Sequence, residues 1–262
     1  MDDFILEQNR CAWDEASRKQ CDASVPVSDE TIRLAKEGDW AVCLTSKKPV
    51  PRSWFPCLDG LRVLCLASGG GQQAPILAAA GARVISLDLS EAQLDLDRRV
   101  AERNHLSIET VRGDMTDLSE FESESIDLIF NPTSNLFVPD LLPVWRGFHR
   151  LLRPGGISLV GCMNPSFFLF DHDEAKQTGE LLVTFPLPYS DLSSLTDVQA
   201  ENMRRERRTI EFGHVLDDLI GKQLECGFHL TRFYEDYWDD AATLLNVFSP
   251  TSFATRSIKQ SC

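Results

Sequence analysis

The chain has 262 residues and a formal charge of −14, with 40 acidic side chains against 26 basic ones. That surplus argues against a nucleic-acid partner, because such binders gain affinity by neutralising phosphates with Lys and Arg. No run of 18 apolar residues is present to span a membrane, and Met1-Asp2-Asp3-Phe4 is acidic where a secretory signal is basic, so the cytoplasm is the expected compartment.

At this length one large domain with a modest cap can bury a full core. Eight cysteines, at 11, 21, 43, 57, 65, 162, 226 and 262, form no Cys-x-x-Cys pair and no zinc spacing with His. Reduced thiols and no structural metal are expected.

Residues 1–56 read as an N-terminal helical extension, with helices over about 5–20 and 28–37 before a Pro-punctuated stretch at 48–56. From Leu61 onward strand and helix signals alternate, the pattern of a parallel sheet covered on both faces. The first strand, 63–66, runs into Ala67-Ser68-Gly69-Gly70-Gly71-Gln72-Gln73 and an Ala-rich helix at 74–80. The second strand, 84–87, ends in Asp88. Ser90 and Gln93 then fit a capping box, with Leu89 and Leu94 as its staple. The third strand, 108–112, ends at Gly113-Asp114-Met115, and the fourth, 126–130, ends at Asn131-Pro132-Thr133-Ser134. A helix over 140–152 is stopped by Arg153-Pro154-Gly155-Gly156, which leads to a strand at 157–162. Residues 164–212 break the alternation. Their six aromatics among Pro and acids suggest a lid with structure of its own, packed with the N-terminal extension over the carboxyl edge of the sheet. A helix over 214–226 precedes strands at 228–234 and 252–258, which form an antiparallel pair.

The glycine turn is lean enough for backbone N–H groups to approach a ligand, and Asp88 stands where an acid would hold a ribose diol. Gly69-x-Gly71-x-x-Ala74 also fits a dinucleotide fingerprint. The order of the glycine turn, Asp88, Asp114 and Arg153-Pro154-Gly155-Gly156 resembles the class I S-adenosylmethionine-dependent methyltransferases of the small-molecule type, over about 61–162 and more loosely over 214–260. The resemblance implies an α/β, Rossmann-like sheet of seven strands with the last one antiparallel. It places the methionine part of S-adenosylmethionine at the turn, the ribose at Asp88 and the adenine at Asp114. The candidate cofactor residues are therefore Ala67, Ser68, Gly69, Gly71, Gln72, Gln73, Asp88, Leu89, Gln93, Asp114, Met115 and Asn131, with Trp54 ahead of the first strand. Cys65 stands where the family usually carries an acid that helps hold the cofactor's ammonium, and Ala67 stands at its first glycine.

The expected function is methyl transfer to a small molecule by in-line displacement. The alternatives are a Rossmann-fold NAD(P)-dependent oxidoreductase and a non-catalytic, cofactor-binding member of the same fold. No side chain is assigned as a catalytic base, and the oligomeric state is open. Trp13 and Phe55 read as core, with Trp54 the best ligand candidate of the three; His172 reads as part of a solvated acidic loop, and His214 as a helix-end or core histidine. Tyr189 and Asp191 are further candidates to face a substrate. The basic run at 204–208 reads as a solvated face.

Overall fold

The computed structural model describes residues 2–21 and 24–260. Its main sheet has seven strands: β1 (Arg62–Leu66), β2 (Arg83–Asp88), β3 (Ile108–Arg112), β4 (Ile126–Asn131), β5 (Leu152–Met163), β8 (Phe228–Asp236) and β9 (Ser252–Lys259). The order across the sheet is β3-β2-β1-β4-β5-β9-β8. The first five strands are parallel, and β9 runs antiparallel between β5 and β8. The seven-strand sheet with an antiparallel last strand agrees with the expected fold.

Alternation along β1 explains why the sheet is buried on both faces. Val63 and Cys65 pack with Ile32, Leu77 and Phe130 on one side. Leu64 and Leu66 pack with Ile129, Trp145 and Phe148 on the other. Helices α2 (Asp29–Lys36), α3 (Gln73–Ala79) and α4 (Glu91–Arg103) contribute to the first side and to its edge, and α5 (Leu142–Leu151) to the second.

Two boundaries differ from expectation. The Arg153-Pro154-Gly155-Gly156 turn does not separate helix from strand: β5 begins at Leu152, directly after α5, because Leu152 pairs with Ile126 before the register shifts. The helix expected over 214–226 is a π-type turn at Asp217–Gly221 followed by α9 (Lys222–Glu225).

The N-terminal helix α1 (Asp3–Lys19) lies beside α4. The 164–212 segment carries α6 (His172–Thr178), a short pair β6 (Tyr189–Ser190) and β7 (Phe212–Gly213), α7 (Asp191–Ser194) and α8 (Asp197–Glu206). Ile5 of α1 packs against Met203, Ile210 and Phe212 of this segment. Asn9 of α1 ties the two together, accepting the N–H of Ile210 at 2.6 Å and donating to its carbonyl at 3.3 Å.

Candidate active site

A cavity of about 600 Å³ opens at the carboxyl ends of the strands. Such an edge is where open α/β sheets place their ligands. One end is built by the β1–α3 turn (Ala67, Ser68, Gly69, Gln72, Gln73), the end of β2 (Leu87, Asp88, Leu89) with Gln93, and Gly113, Asp114 and Met115 after β3. Leu6, Asn9 and Trp13 of α1, residues 43–47, residues 132–134, Phe137, Val138, Trp238 and Asp239 line the rest.

The turn is fixed by side chains reaching it from α4. Gln93 Oε1 accepts the N–H of Gly70 at 2.7 Å, and Asp97 Oδ1 accepts that of Gly71 at 2.7 Å. The expected capping box is thus one-sided: Ser90 Oγ accepts the Gln93 N–H at 3.2 Å, while the Gln93 amide serves Gly70 and, through Nε2, Ser24. Ala67, at φ +44°, holds the left-handed conformation that glycine adopts without strain. Its N–H donates to the Leu87 carbonyl at 2.9 Å, joining the ends of β1 and β2.

Asp88 sits at the cavity with the Ser90 N–H on its Oδ1 at 2.8 Å. Burial, and then the negative charges of Asp97 and Asp14, push its carboxyl up to about 7. An acid held this high gains from O–H donors that favour its charged form, which is what a ribose diol supplies. Asp114 accepts from the N–H and hydroxyl of Thr116 at 2.9 and 2.6 Å, and so is oriented at the cavity wall.

The far wall is a loop clamped from three sides. Asp236 Oδ2, on β8, accepts from Thr45 Oγ1, Lys47 N and Lys48 N at 2.8, 2.9 and 2.8 Å. Burial opposes the Asp236 charge, but these donors and the Tyr237 N–H hold its carboxyl below the usual range. Thr133 donates its N–H and its hydroxyl to the Leu44 carbonyl, each at 3.0 Å, and Gln73 Oε1 accepts the Cys43 N–H at 2.9 Å. Gly161 makes room for the loop: a Cβ there would lie 2.0 Å from the Leu44 oxygen.

Residues 64–160 match the methyltransferase-domain family. The Bacillus subtilis protein YbaJ, an uncharacterized methyltransferase, is 45% identical over 255 residues, 97% of this chain and 98% of that one. This chain belongs to the class I S-adenosylmethionine-dependent methyltransferases. The cypemycin N-terminal methyltransferase of a Streptomyces species is 34% identical over 135 residues, 50% of this chain and 51% of that one. An S-adenosylmethionine-dependent methyltransferase from Mesorhizobium loti shares the fold, with a TM-score of 0.61 at 20% identity over 79% of this chain and 94% of that one.

The methyltransferase brings ten of the expected residues to its cavity: Ala67, Ser68, Gly69, Gln72, Gln73, Asp88, Leu89, Gln93, Asp114 and Met115. Three lie elsewhere. Gly71 turns toward Pro26, beneath the turn. Asn131 is fully buried, its Nδ2 donating to the Leu66 carbonyl at 3.1 Å and Ser134 Oγ at 2.8 Å, so it joins the ends of β1 and β4 from behind the wall. Trp54 is in the core, 5.1 Å from the ring of Tyr234, because the short helix Arg52–Trp54 points it at β8. Trp13, read as core, lines the cavity instead and meets Phe137 edge-on at 5.4 Å.

The 164–212 segment contributes no residue to the cavity wall. It buttresses α1 and Phe137 from outside. Tyr189 donates to Asp191 at 2.6 Å, within that segment. His172 is not a solvated loop residue: it stacks on Phe167 at 4.0 Å, and its ring nitrogens pair with the Phe167 carbonyl and Thr243. His214 is a satisfied core histidine bonded to the Asn135 carbonyl at 3.2 Å.

Proposed function

We propose that this methyltransferase takes S-adenosylmethionine at the β1–β3 end of the cavity and passes its methyl group to a small, largely apolar acceptor at the other end. The half-buried Asp88 carboxyl at the cavity wall, beside the pinned glycine turn, carries the reading. Ala67, Ser68, Gly69 and Gln72 would surround the methionine part, Asp88 and Leu89 the ribose, and Asp114 and Met115 the adenine. Gln73 and Gln93 hold the turn and the facing loop in register.

The cofactor supplies a sulfonium-activated methyl whose leaving group needs no protonation. The protein's own work is then to align the acceptor and keep water out. Leu6, Trp13, Leu44, Phe137, Val138 and Trp238 give that end an apolar wall. Its polar groups are largely spent inside the protein, Asn9 on Ile210 and Thr45 on Asp236. An apolar ring-bearing metabolite fits such surfaces better than a sugar or a polyanion.

The cytoplasm is the proposed setting, with no nucleic-acid partner. The acidic surplus supports this, as do acid partners along the basic run: Arg204 with Glu201, Arg207 with Glu15 and Arg208 with Asp173. Among the described residues no helix is long and apolar enough to cross a membrane.

Calorimetric titration with S-adenosylhomocysteine, NAD(H) and NADP(H) tests the cofactor. Binding of S-adenosylhomocysteine alone is expected; binding of a nicotinamide dinucleotide in its place would overturn the reading.

A further inference from the structure

We infer that Asp97, which does not line the cavity, is the positioning residue that sets the cofactor turn, by holding the Gly71 amide from beneath. The inference rests on the cofactor reading above.

Asp97 is 2% exposed, on the buried face of α4. Its two oxygens face two donors: Oδ1 accepts the Gly71 N–H at 2.7 Å, and Oδ2 accepts the Ser86 hydroxyl at 2.6 Å. Ser86 is the register partner of Cys65 on β1, so one carboxylate links β2, the end of β1 and the turn. The grip is completed from the other side. Val27 N–H donates to the Gly71 carbonyl at 2.8 Å, and a Cβ on Gly71 would come within 2.9 Å of Pro26. With φ at +73°, Gly71 is a pivot only glycine adopts easily.

A carboxylate is a costly choice for a purely structural tether. Burial pushes Asp97 up to about 6 against the bonds from Ser86 and Gly71. Arg98 is the cation that offsets it, and Arg98 itself pairs with Glu91 and Asp95 at 2.6 and 2.7 Å on the surface. A buried charge retained at such a point is explained by what it orients. Gly70 and Gly71 spend their N–H groups on Gln93 and Asp97, so the turn presents Ser68 and Gly69 to the cavity in a fixed attitude. Asp88, at the end of β2, and Asp114, after β3, are oriented by Ser90 and Thr116. Loss of the Asp97 tether therefore disturbs the methionine end of the site and leaves Asp88 and Asp114 in place, relieved only of the Asp97 charge that raises the Asp88 carboxyl.

The test compares two ligands that share adenosine and differ in the amino-acid part, S-adenosylhomocysteine and 5′-methylthioadenosine. Asp97→Ala is expected to weaken S-adenosylhomocysteine about 30-fold, the scale of a lost charge-assisted hydrogen bond. Binding of 5′-methylthioadenosine should stay within about threefold. Asp97→Asn keeps an acceptor for the Gly71 N–H and is expected to recover most of the affinity, and it serves alone if Asp97→Ala does not fold. Equal losses for both ligands in Asp97→Ala, or a selective loss in Asp97→Asn as large as that expected of Asp97→Ala, would overturn the proposal. If the wild-type protein bound neither ligand, the cofactor reading would fall and this proposal with it.

Discussion

Ser90 donates its hydroxyl to Asp14 Oδ1 across 2.6 Å while accepting the backbone N–H of Gln93. The residue that opens α4, two positions after Asp88, is thus also the anchor of the N-terminal helix. Asp14 is held in turn by Arg10 at 2.6 Å. Through this contact the helix that offers Leu6, Asn9 and Trp13 to the proposed acceptor end is registered against the proposed cofactor end.

Asp14→Ala is therefore expected to loosen α1 without dismantling the nucleotide site. A buried hydroxyl and Arg10 each lose a partner, which costs about 1–3 kcal/mol. Hydrogen exchange of the amides of α1 should quicken about tenfold, and S-adenosylhomocysteine affinity should fall by less than about threefold. Unchanged exchange across α1 would show that the apolar contacts with 203–212 hold the helix without the Ser90 link.

Asp88→Asn separates binding from stability. The wild-type carboxyl is raised to about 7, so the ligand-free fold favours its protonated form. That contribution is complete below the ordinary carboxylate range and is lost as pH rises through 7. The ligand-free variant should melt above wild type at pH 8, with the two converging as pH falls to about 4. Binding runs the other way, because hydroxyl donors prefer the carboxylate. Wild-type affinity for S-adenosylhomocysteine should rise about tenfold from pH 5.5 to 7.5. In Asp88→Asn the affinity should be low and much flatter. Asp97, raised to about 6, also titrates in this window, and it is common to both proteins. An unaltered affinity in the variant would remove Asp88 from the site.

The sequence made the sheet, the turn and the two acids legible because each is written locally: alternating apolar residues, a run of three glycines, an acid at a strand end before a cap. Helix α1 was legible as a helix within the expected cover over the sheet edge, but Trp13 was not legible as a wall residue, since nothing near it signals that Phe137 will meet it. The 43–48 loop has no periodicity at all. Its shape comes from Asp236, nearly 190 residues away, and from the absent side chain of Gly161. Trp54 and Asn131 misled for a related reason: lying close in sequence to the strand ends does not decide which way a side chain turns, and both turned inward. The aromatics of 164–212 were correctly too many for a solvated loop, yet they pack against one another, Leu136 and Leu245 rather than facing the cavity.

Asp236→Ala should release the acceptor-side loop. Three donors lose their shared acceptor, and two of them are backbone N–H groups of residues 47 and 48. Tryptic cleavage after Lys47 is expected to accelerate about tenfold or more, because local opening sets the rate of nicking. Asp236→Asn, which keeps one acceptor oxygen, should lie between the two. Cleavage at the wild-type rate would mean that Thr133 and Gln73 are sufficient to hold the loop.

Cys65→Asp would restore the acid that related methyltransferases usually carry at the end of the first strand, and here it is expected to harm the protein. Cys65 is fully buried, and its thiol is pushed well up, first by burial and then by the negative charge of Asp97. A second carboxylate at that point would be buried beside Asp97 with no cation between them, at a cost of about 3 kcal/mol or about 10 °C in Tm for a domain of this size. Combining Cys65→Asp with Asp97→Asn removes the repulsion but not the cost of burying the new carboxylate, so the double variant should regain only part of the lost stability. Strictly additive effects would show that the two sites do not share one electrostatic environment. A stable Cys65→Asp single variant that bound S-adenosylhomocysteine more tightly would go further, because it would show that position 65 still has room for an acid despite the one already held by α4.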